Sequence, residues 1–363
     1  MSNPALFEPI TLRDLTIANR IWLAPMCQYS CFAEDGVPTD WHLVHLGSHA
    51  TGGFGLILTE AAAVVPEGRI SPQDAGIWNE EQTAAWRRIV DFVHDQDSAI
   101  GVQLAHAGRK ASTYSPFADQ DGSLPAAEGG WVTSAPSPIA FEGYDVPTAL
   151  SVTEIADLVD AFAAAARRAD QAGFDVVEIH AAHGYLLHEF LSPLSNQRDD
   201  QYGGDFAGRT RFLVEVVDAV RAVWPQGKPL FVRISATDWA DGGWTAQESA
   251  ELASALAPHG VDLIDASTGG NVLAEIPVGP GYQVEFAQSI REQSGVPTAA
   301  VGLITEPGQA EKILTSEAAD AILLARAALR EPAWPLRAAH ELGVSRNDAP
   351  YRPQYVRGAW RDR

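Results

Sequence analysis

The chain has no stretch of eighteen apolar residues, so the sequence offers no membrane span. Met1–Ile10 lacks the basic start and apolar centre of a secretory leader, and a cytoplasmic location is the expectation. Cysteine is nearly absent. Cys27 and Cys31 are the two thiols, too few for a disulfide framework or for a four-thiolate iron–sulfur cluster. A two-cysteine half of a zinc site would need a second pair, which does not exist. Basic residues are scarce as well: 25 Lys and Arg stand against 47 Asp and Glu, a formal charge of −22. That balance argues against nucleic acid or an anionic membrane as partner. No GxGxxG follows a strand and opens a helix, so a Rossmann nucleotide site is unsupported. Low-complexity linkers and sequence repeats of fixed period are also missing.

What is present is an alternation. Short apolar runs predict strands at Ile21–Pro25, Gly55–Ala61, Ile100–Ala105, Asp175–Ile179, Leu230–Ser235, Leu263–Ala266, Thr298–Gly302 and Ala321–Ala325. Continuous apolar runs are what parallel strands buried on both faces require. Between them lie helical patterns. Asn79–Gln96 opens on a capping Asn79 with Gln82 three residues on, and Ser151–Ala172 ends at Gly173. Arg211–Trp224 stops before Pro225, and Thr245–Pro258 carries a Thr245/Glu248 capping box. Eight such units in one chain fit a closed (β/α)8 TIM barrel of the α/β class better than an open sheet. The expectation is a single domain over 1–363. Two segments break its rhythm: the Gly-, Pro- and Ser-rich stretch 106–150, which reads as a cap, and the aromatic, arginine-rich tail 347–363, which reads as a docked arm.

Active sites of such barrels sit at the C-terminal ends of the strands. Read in order, those ends carry Ala24, Pro25, Met26, Cys27 and Tyr29; Gln103; His180, His183 and Tyr185; Arg233; Gly269 and Gly270; Gly302; and Ala325 with Arg326. For both histidines to share a pocket the chain must turn after His180, and Gly184 permits a turn. Two imidazoles and a phenol would then supply hydrogen-bond donors and a proton. The same pair also suits two satisfied core histidines, or half of a zinc site whose further ligands are not found at a comparable spacing. Gly302 and Arg326 stand where the barrel's usual phosphate site forms, after strands seven and eight. A lone arginine there also suits a surface salt bridge. Arg233 ends a buried strand and needs a partner, either an anionic ring or a buried carboxylate. Gln103 suits an amide edge or a backbone group.

These strand ends resemble the old yellow enzyme family of flavin ene-reductases, and within it the bacterial thermophilic-like branch. The resemblance runs from Leu6-Phe7-Glu8-Pro9 to the tail. Its most specific part is the run His180–Pro193, continued by Asn196, Arg198, Tyr202-Gly203-Gly204 and Arg209. Pro25-Met26-Cys27 and the run Gln103–Arg109 add to it.

The resemblance implies non-covalent FMN, with NAD(P)H as reductant. Ala24, Pro25, Met26, Cys27, Ala61, Gln103, His180 and Arg233 would surround the ring, and Gly269, Gly270, Gly302, Ala325 and Arg326 the phosphate. His180 and His183 would hold the carbonyl or nitro oxygen of an activated alkene. Hydride from N5 of the reduced flavin would reach the β-carbon, and Tyr185 would protonate the α-carbon. Tyr29 would line the substrate pocket. Cys27 would tune the flavin, not act as a nucleophile. Arg357 matches an arginine inserted into a neighbouring subunit, which implies a homodimer or homotetramer. Two positions depart from the pattern: Ala24 stands where many relatives have Ser, and Ala325 where many have Gly. The cysteine cluster of the dienoyl-CoA reductase relatives is missing. Competing readings are a dihydroorotate dehydrogenase-like FMN barrel, a metal-dependent barrel hydrolase and a non-catalytic scaffold.

Overall fold

A computed structural model describes residues 3–361; the extreme ends of the 1–363 and 347–363 expectations lie outside them. Eight parallel strands close into a barrel: β1 (Ile21–Leu23), β2 (Leu56–Ala63), β3 (Ala99–Ala105), β4 (Val176–Ala181), β5 (Leu230–Ser235), β6 (Leu263–Ser267), β7 (Thr298–Ala300) and β8 (Ala321–Leu324), with β8 pairing back to β1. This is the expected TIM barrel. β1 and β7 end two residues earlier than their apolar runs, and β4 runs two further, so that His180 lies within it.

Side chains alternate along each strand, and the two faces bury different surroundings. Trp22, Leu56, Leu58, Val176, Phe231, Leu263, Ala299, Ala321 and Leu323 form one cluster inside the barrel. Val177, Ile179, Val232, Ile234, Ile264 and Ala266 point outward into a second cluster shared with the helices. A hairpin of Ile10–Leu12 and Leu15–Ile17 adds Leu12 and Ile17 to the inner cluster. Its Arg13 pairs at 2.7 Å with Asp262, just before β6, so the hairpin closes the end opposite the strand C-termini.

The outer helices are α1 (Asp40–Thr51), α2 (Glu80–His94), α3 (Val152–Ala172), α4 (Phe206–Val223), α5 (Ala246–Leu256), α6 (Val284–Ser294), α7 (Pro307–Thr315) and α8 (Trp334–Glu341). Capping boxes start α2 at Asn79, α3 at Ser151 and α5 at Thr245, as the sequence pattern requires. Gly173 ends α3 in the left-handed conformation at φ 94°. Helix α4 begins five residues before the expected Arg211. Asp205 caps it by accepting the Gly208 N–H, and Gly208 in the first turn obscures the start in the sequence.

The segment between β3 and α3 contains only short turns and one two-residue strand pair, Ser134–Ala135 with Thr148–Ala149. It is tied to the barrel mouth at several points, among them the Thr113 N–H, which donates to the Ile70 carbonyl at 2.8 Å, and Trp131 Nε1, which donates to the Glu67 carbonyl at 2.8 Å. Arg109 Nη1 donates to the Ile139 carbonyl at 3.1 Å, and the Phe117 ring meets Tyr29 edge-on at 5.9 Å. The tail is held by Trp360 stacked on His340 at 5.2 Å and by an Arg352–Asp97 pair at 2.9 Å. No helix among the described residues is long and apolar enough to cross a membrane.

Candidate active site

Strand β4 delivers His180 to the mouth, and the chain then turns sharply. His183 and Gly184 both take positive φ, 61° and 72°. A Cβ at Gly184 would lie 2.2 Å from the Gly270 carbonyl oxygen, so the turn requires glycine. The turn places His183 5.2 Å from His180, ring centre to ring centre, and Tyr185 5.1 Å from His180. The three side chains that the sequence singles out therefore share one pocket.

The turn is braced from behind. His188 Nδ1 accepts the Gly184 N–H at 2.9 Å, and His188 Nε2 lies 3.0 Å from Asp238 Oδ1, both side chains fully buried. Asp238 Oδ2 accepts from Ser192 Oγ and from the Trp244 N–H. Burial opposes the charge on Asp238, but the hydrogen bonds from His188, Ser192 and Trp244 hold its pKa down from 3.8 to about 2. Asp238→Ala removes one member of a buried pair and should destabilise the protein by about 3–5 kcal/mol in chemical denaturation near neutral pH. A carboxyl whose pKa is depressed by folding stabilises above its ordinary range. The difference between wild type and variant should therefore shrink as pH falls from 3.8 toward 2. A constant difference would remove the ionised carboxylate from the brace.

Lys110 closes the pocket wall. Its Nζ donates to the carbonyls of His183 (2.8 Å) and Gly270 (2.9 Å) and sits 5.2 Å from the Tyr185 ring. Burial first, then the charges of Arg233 and Lys110 among others, push the pKa of His180 and His183 well below the ordinary value. Both imidazoles are neutral at physiological pH. Neither ring nitrogen of His180 has a hydrogen-bond partner among the described residues. His183 differs: its Nε2 lies 2.7 Å from Ser267 Oγ, so one of its nitrogens is already engaged within the protein. The Tyr185 hydroxyl has no hydrogen-bond partner among the described residues. Burial, followed by Cys27, Tyr29, Asp74 and Tyr144, raises its pKa well above the usual phenol value.

The other predicted residues take these places. Ala24 is buried at the end of β1 and Met26 packs on the core. The segment after β1 is pinned through the Gln28 N–H to Glu60 Oε2 at 3.0 Å, and Glu60 in turn meets His42 at 3.0 Å. Glu60 sits in an irregularity of β2 between Leu58 and Ala61, which re-aims side chains beside the site. Burial, then Asp74 and Glu60, push the Cys27 thiol up, so it stays protonated. Ala61 and Tyr185 line a small cavity with Ile70, Asp74 and Ala105.

Arg233 has a protein partner: its Nε lies 3.0 Å from the buried Asp265. Its two terminal nitrogens make no hydrogen bond among the described residues, and its charge acts on Cys27, His180 and His183. Gln103 Nε2 donates to the buried Glu178 at 2.8 Å, and its amide oxygen has no partner among the described residues.

Gly302, Ala325 and Arg326 line one cavity with Ser267, Gln283 and Arg330. Gly302 has φ 120°, and a Cβ there would come within 2.9 Å of the Gln283 amide nitrogen. Neither Arg326 nor Arg330 pairs with a carboxylate among the described residues, which is unusual in so acidic a chain. Two unpaired guanidinium groups beside a glycine-opened cavity suit a phosphate. Gly269 and Gly270 are not brought to this cavity. Gly270 packs on the His183 backbone, where an added Cβ would sit 2.7 Å away, and Gly269 bonds to Thr237 and Ser235. Arg357 is exposed on the tail turn Pro353–Gly358. A zinc role for the histidines is disfavoured by the cations Arg233 and Lys110 beside them. Among the described residues no group of three or more His, Cys, Asp or Glu side chains is arranged to hold a metal ion.

Sequence reasoning missed Lys110, Glu178, Asp265, Arg330 and the His188–Asp238 brace. Two of them carried a signal. Glu178 lies two residues before His180, and Asp265 two before Ser267, so alternation puts each on the same face as its successor.

A family model for the NADH:flavin oxidoreductase / NADH oxidase family matches residues 5–344. An NADPH dehydrogenase of Geobacillus thermodenitrificans is 48% identical over 99% of both chains. One of Bacillus subtilis is 47% identical over 97% of this chain and 98% of its own. Among solved structures, a morphinone reductase in complex with tetrahydroNAD superposes with a TM-score of 0.79 at 29% identity, over 94% of this chain and 92% of its own. An old yellow enzyme homologue from Zymomonas mobilis gives 0.78 at 30%, over 98% and 99%. These matches displace the hydrolase, the dihydroorotate dehydrogenase-like enzyme and the scaffold. The chain belongs to the NADH:flavin oxidoreductase / NADH oxidase family, the old yellow enzymes, and is an FMN-dependent oxidoreductase that uses NAD(P)H.

Proposed function

We propose that the enzyme is an ene-reductase, acting on C=C bonds conjugated to a carbonyl or nitro group: enones, enals, maleimides and nitroalkenes. The observation that carries this reading is the cluster of two neutral imidazoles beside an undissociated phenol, with ring centres 5.1–5.2 Å apart. When bound, FMN supplies a two-electron carrier between NAD(P)H and the alkene. The residues present fit it. Gln103 and Arg233 offer an unpaired acceptor and unpaired donors at the ring's site, and Gly302, Ala325, Arg326 and Arg330 surround a phosphate-sized space. The relatives' name favours NADPH as reductant.

His180 and His183 donate to the substrate's oxygen, where negative charge grows as the β-carbon is reduced. Tyr185 holds the proton for the α-carbon, and its raised pKa keeps it a donor until the carbon becomes basic. Tyr29, edge-on to Phe117, lines the substrate side. The segment 106–150 acts as the cap over this mouth. The exposed Arg357 is free to enter a neighbouring subunit's site in a homodimer or homotetramer.

Anaerobic titration of the purified enzyme with NADPH or NADH, then cyclohexenone or cyclohexene, tests the assignment. The flavin should bleach with the nicotinamide, recolour with cyclohexenone and stay bleached with cyclohexene. Equal reactivity of the two alkenes would defeat it, because an unpolarised alkene offers the histidines no oxygen.

A further inference from the structure

Inside the barrel, between the apolar floor and the histidines, lies a polar layer that no catalytic step above uses. On β4 the inward residues are Val176, Glu178 and His180 in succession. On β5 they are Phe231, Arg233 and Ser235, and on β6 Leu263, Asp265 and Ser267. In register, Gln103 stands beside Glu178, and Arg233 beside both His180 and Asp265. Glu178, Asp265, Gln103 and Arg233 are all buried.

The layer has a polarity. Its two carboxylates take the inner ends of an amide and a guanidinium: Glu178 Oε1 accepts from Gln103 Nε2 at 2.8 Å, and Asp265 Oδ2 lies 3.0 Å from Arg233 Nε. The outer ends are the Gln103 oxygen, an acceptor, and the Arg233 terminal nitrogens, donors, none with a protein partner among the described residues. An amide is nearly symmetric in shape, and nothing in its packing distinguishes oxygen from nitrogen. Only a neighbour that accepts and does not donate fixes which one faces outward. Flipped, Gln103 would present a donor beside the donors of Arg233, and an N–H on the ligand's edge would meet no acceptor. Glu178 Oε2 is buried without a partner. A proton carried there leaves Oε1 an acceptor, so the polarity survives neutralisation of the acid.

We propose that Glu178 is a positioning residue for the flavin ring: by taking the Gln103 amide N–H it turns that amide's oxygen outward, so that oxygen and the Arg233 donors together match a ring edge that alternates N–H with C=O. This does not depend on which substrate the enzyme reduces, since neither histidine nor Tyr185 enters it.

The test is FMN retention by the holoenzyme, read as fluorescence of flavin released on dilution. Glu178→Gln supplies an amide that can either accept from Gln103 or donate to it, so it fixes the outward oxygen less firmly and should weaken FMN binding by less than the leucine variant does. Glu178→Leu removes the acceptor and should weaken FMN binding about tenfold or more. Glu178→Asp, which keeps the carboxyl group but withdraws it by one methylene, should weaken it in the same direction and serves if the leucine variant does not fold. Because Glu178 acts through Gln103, the leucine effect should largely vanish in a Gln103→Met background, a coupling that a general packing defect would not give. Wild-type retention by the Leu or Asp variant, a Gln variant as weak as the Leu variant, or additive losses in the double variant would each overturn the proposal. Enone turnover plays no part in the readout, so a wrong substrate assignment would leave this result intact.

Discussion

Replacing His180 and His183 together by alanine should leave FMN bound and NAD(P)H still oxidised, while enone reduction per bound flavin falls about a thousandfold or more. The size follows from what such donors are worth. A single donor aimed at developing negative charge in a site shielded from water contributes about 10²–10³ in rate, and two acting on one oxygen contribute more. Both imidazoles are held neutral by burial and by the cations Arg233 and Lys110. Around neutral pH they are therefore steady hydrogen-bond donors whose strength does not rest on a protonation that a modest drop in pH would change. Neither nitrogen of His180 is engaged among the described residues, so its one N–H is available, whereas His183 is tied to Ser267 at 2.7 Å, and that tie orients its ring. Stopped-flow separation of the two half-reactions under anaerobic conditions gives the check. Only reoxidation by enone should slow. Unchanged reoxidation would dismiss the histidines as substrate ligands, and loss of flavin with normal activity per remaining flavin would move them to the cofactor's side.

The barrel was legible because its signals are local. A capping box lies within four residues, and an apolar run is its own evidence, so the strands and three helix starts fall where the pattern puts them. The start of α4 was hidden by a glycine in its first turn. At the candidate site, residues borne on strand ends could be placed at the mouth from the sequence, while those defined by a partner elsewhere could not. Arg233 announced that it needed a counter-charge, but only closure of the sheet picks Asp265, which β6 sets beside it. Glu178 sat in Val176-Val177-Glu178-Ile179, a run read as uniformly buried, where alternation marked it as facing inward with His180. Lys110 is invisible as a wall of the pocket until His183 and Gly270, which are distant from it in the chain, present their carbonyls to it. Gly269 and Gly270 were assigned to the phosphate by position. Gly270, at φ 92°, serves the close approach of its backbone to the His183–Gly184 turn, while Gly269, at φ 69°, packs near Ile276 and Trp239.

Tyr185→Phe should cut reoxidation by enone about 10²–10⁴-fold while reduction by NAD(P)H keeps its wild-type rate. The ring's contacts do not need the hydroxyl: it stands edge-on to His180 at 5.1 Å and beneath Lys110 Nζ at 5.2 Å, and both survive the change. The hydroxyl makes no hydrogen bond among the described residues, so its loss strands no buried partner there and stability should move little. What disappears is a proton held at one place. Burial, then the neighbouring Cys27, Tyr29 and Asp74, raise the phenol's pKa, which makes it a weak acid in the resting site. It gives up its proton only to a strong base, such as a carbon that has gained charge by reduction, and not to an alkene merely bound. Burial raises the pKa of the Cys27 thiol as well, so it too stays protonated. Nitroalkenes provide the sharper contrast. Their reduced form is a nitronate, stable enough to leave and be protonated in solution, so nitroalkene-dependent reoxidation should survive in the Phe variant far better than enone-dependent reoxidation. Equal loss on both substrates would mean that the hydroxyl serves binding or packing, and no loss on either would take the proton's source elsewhere.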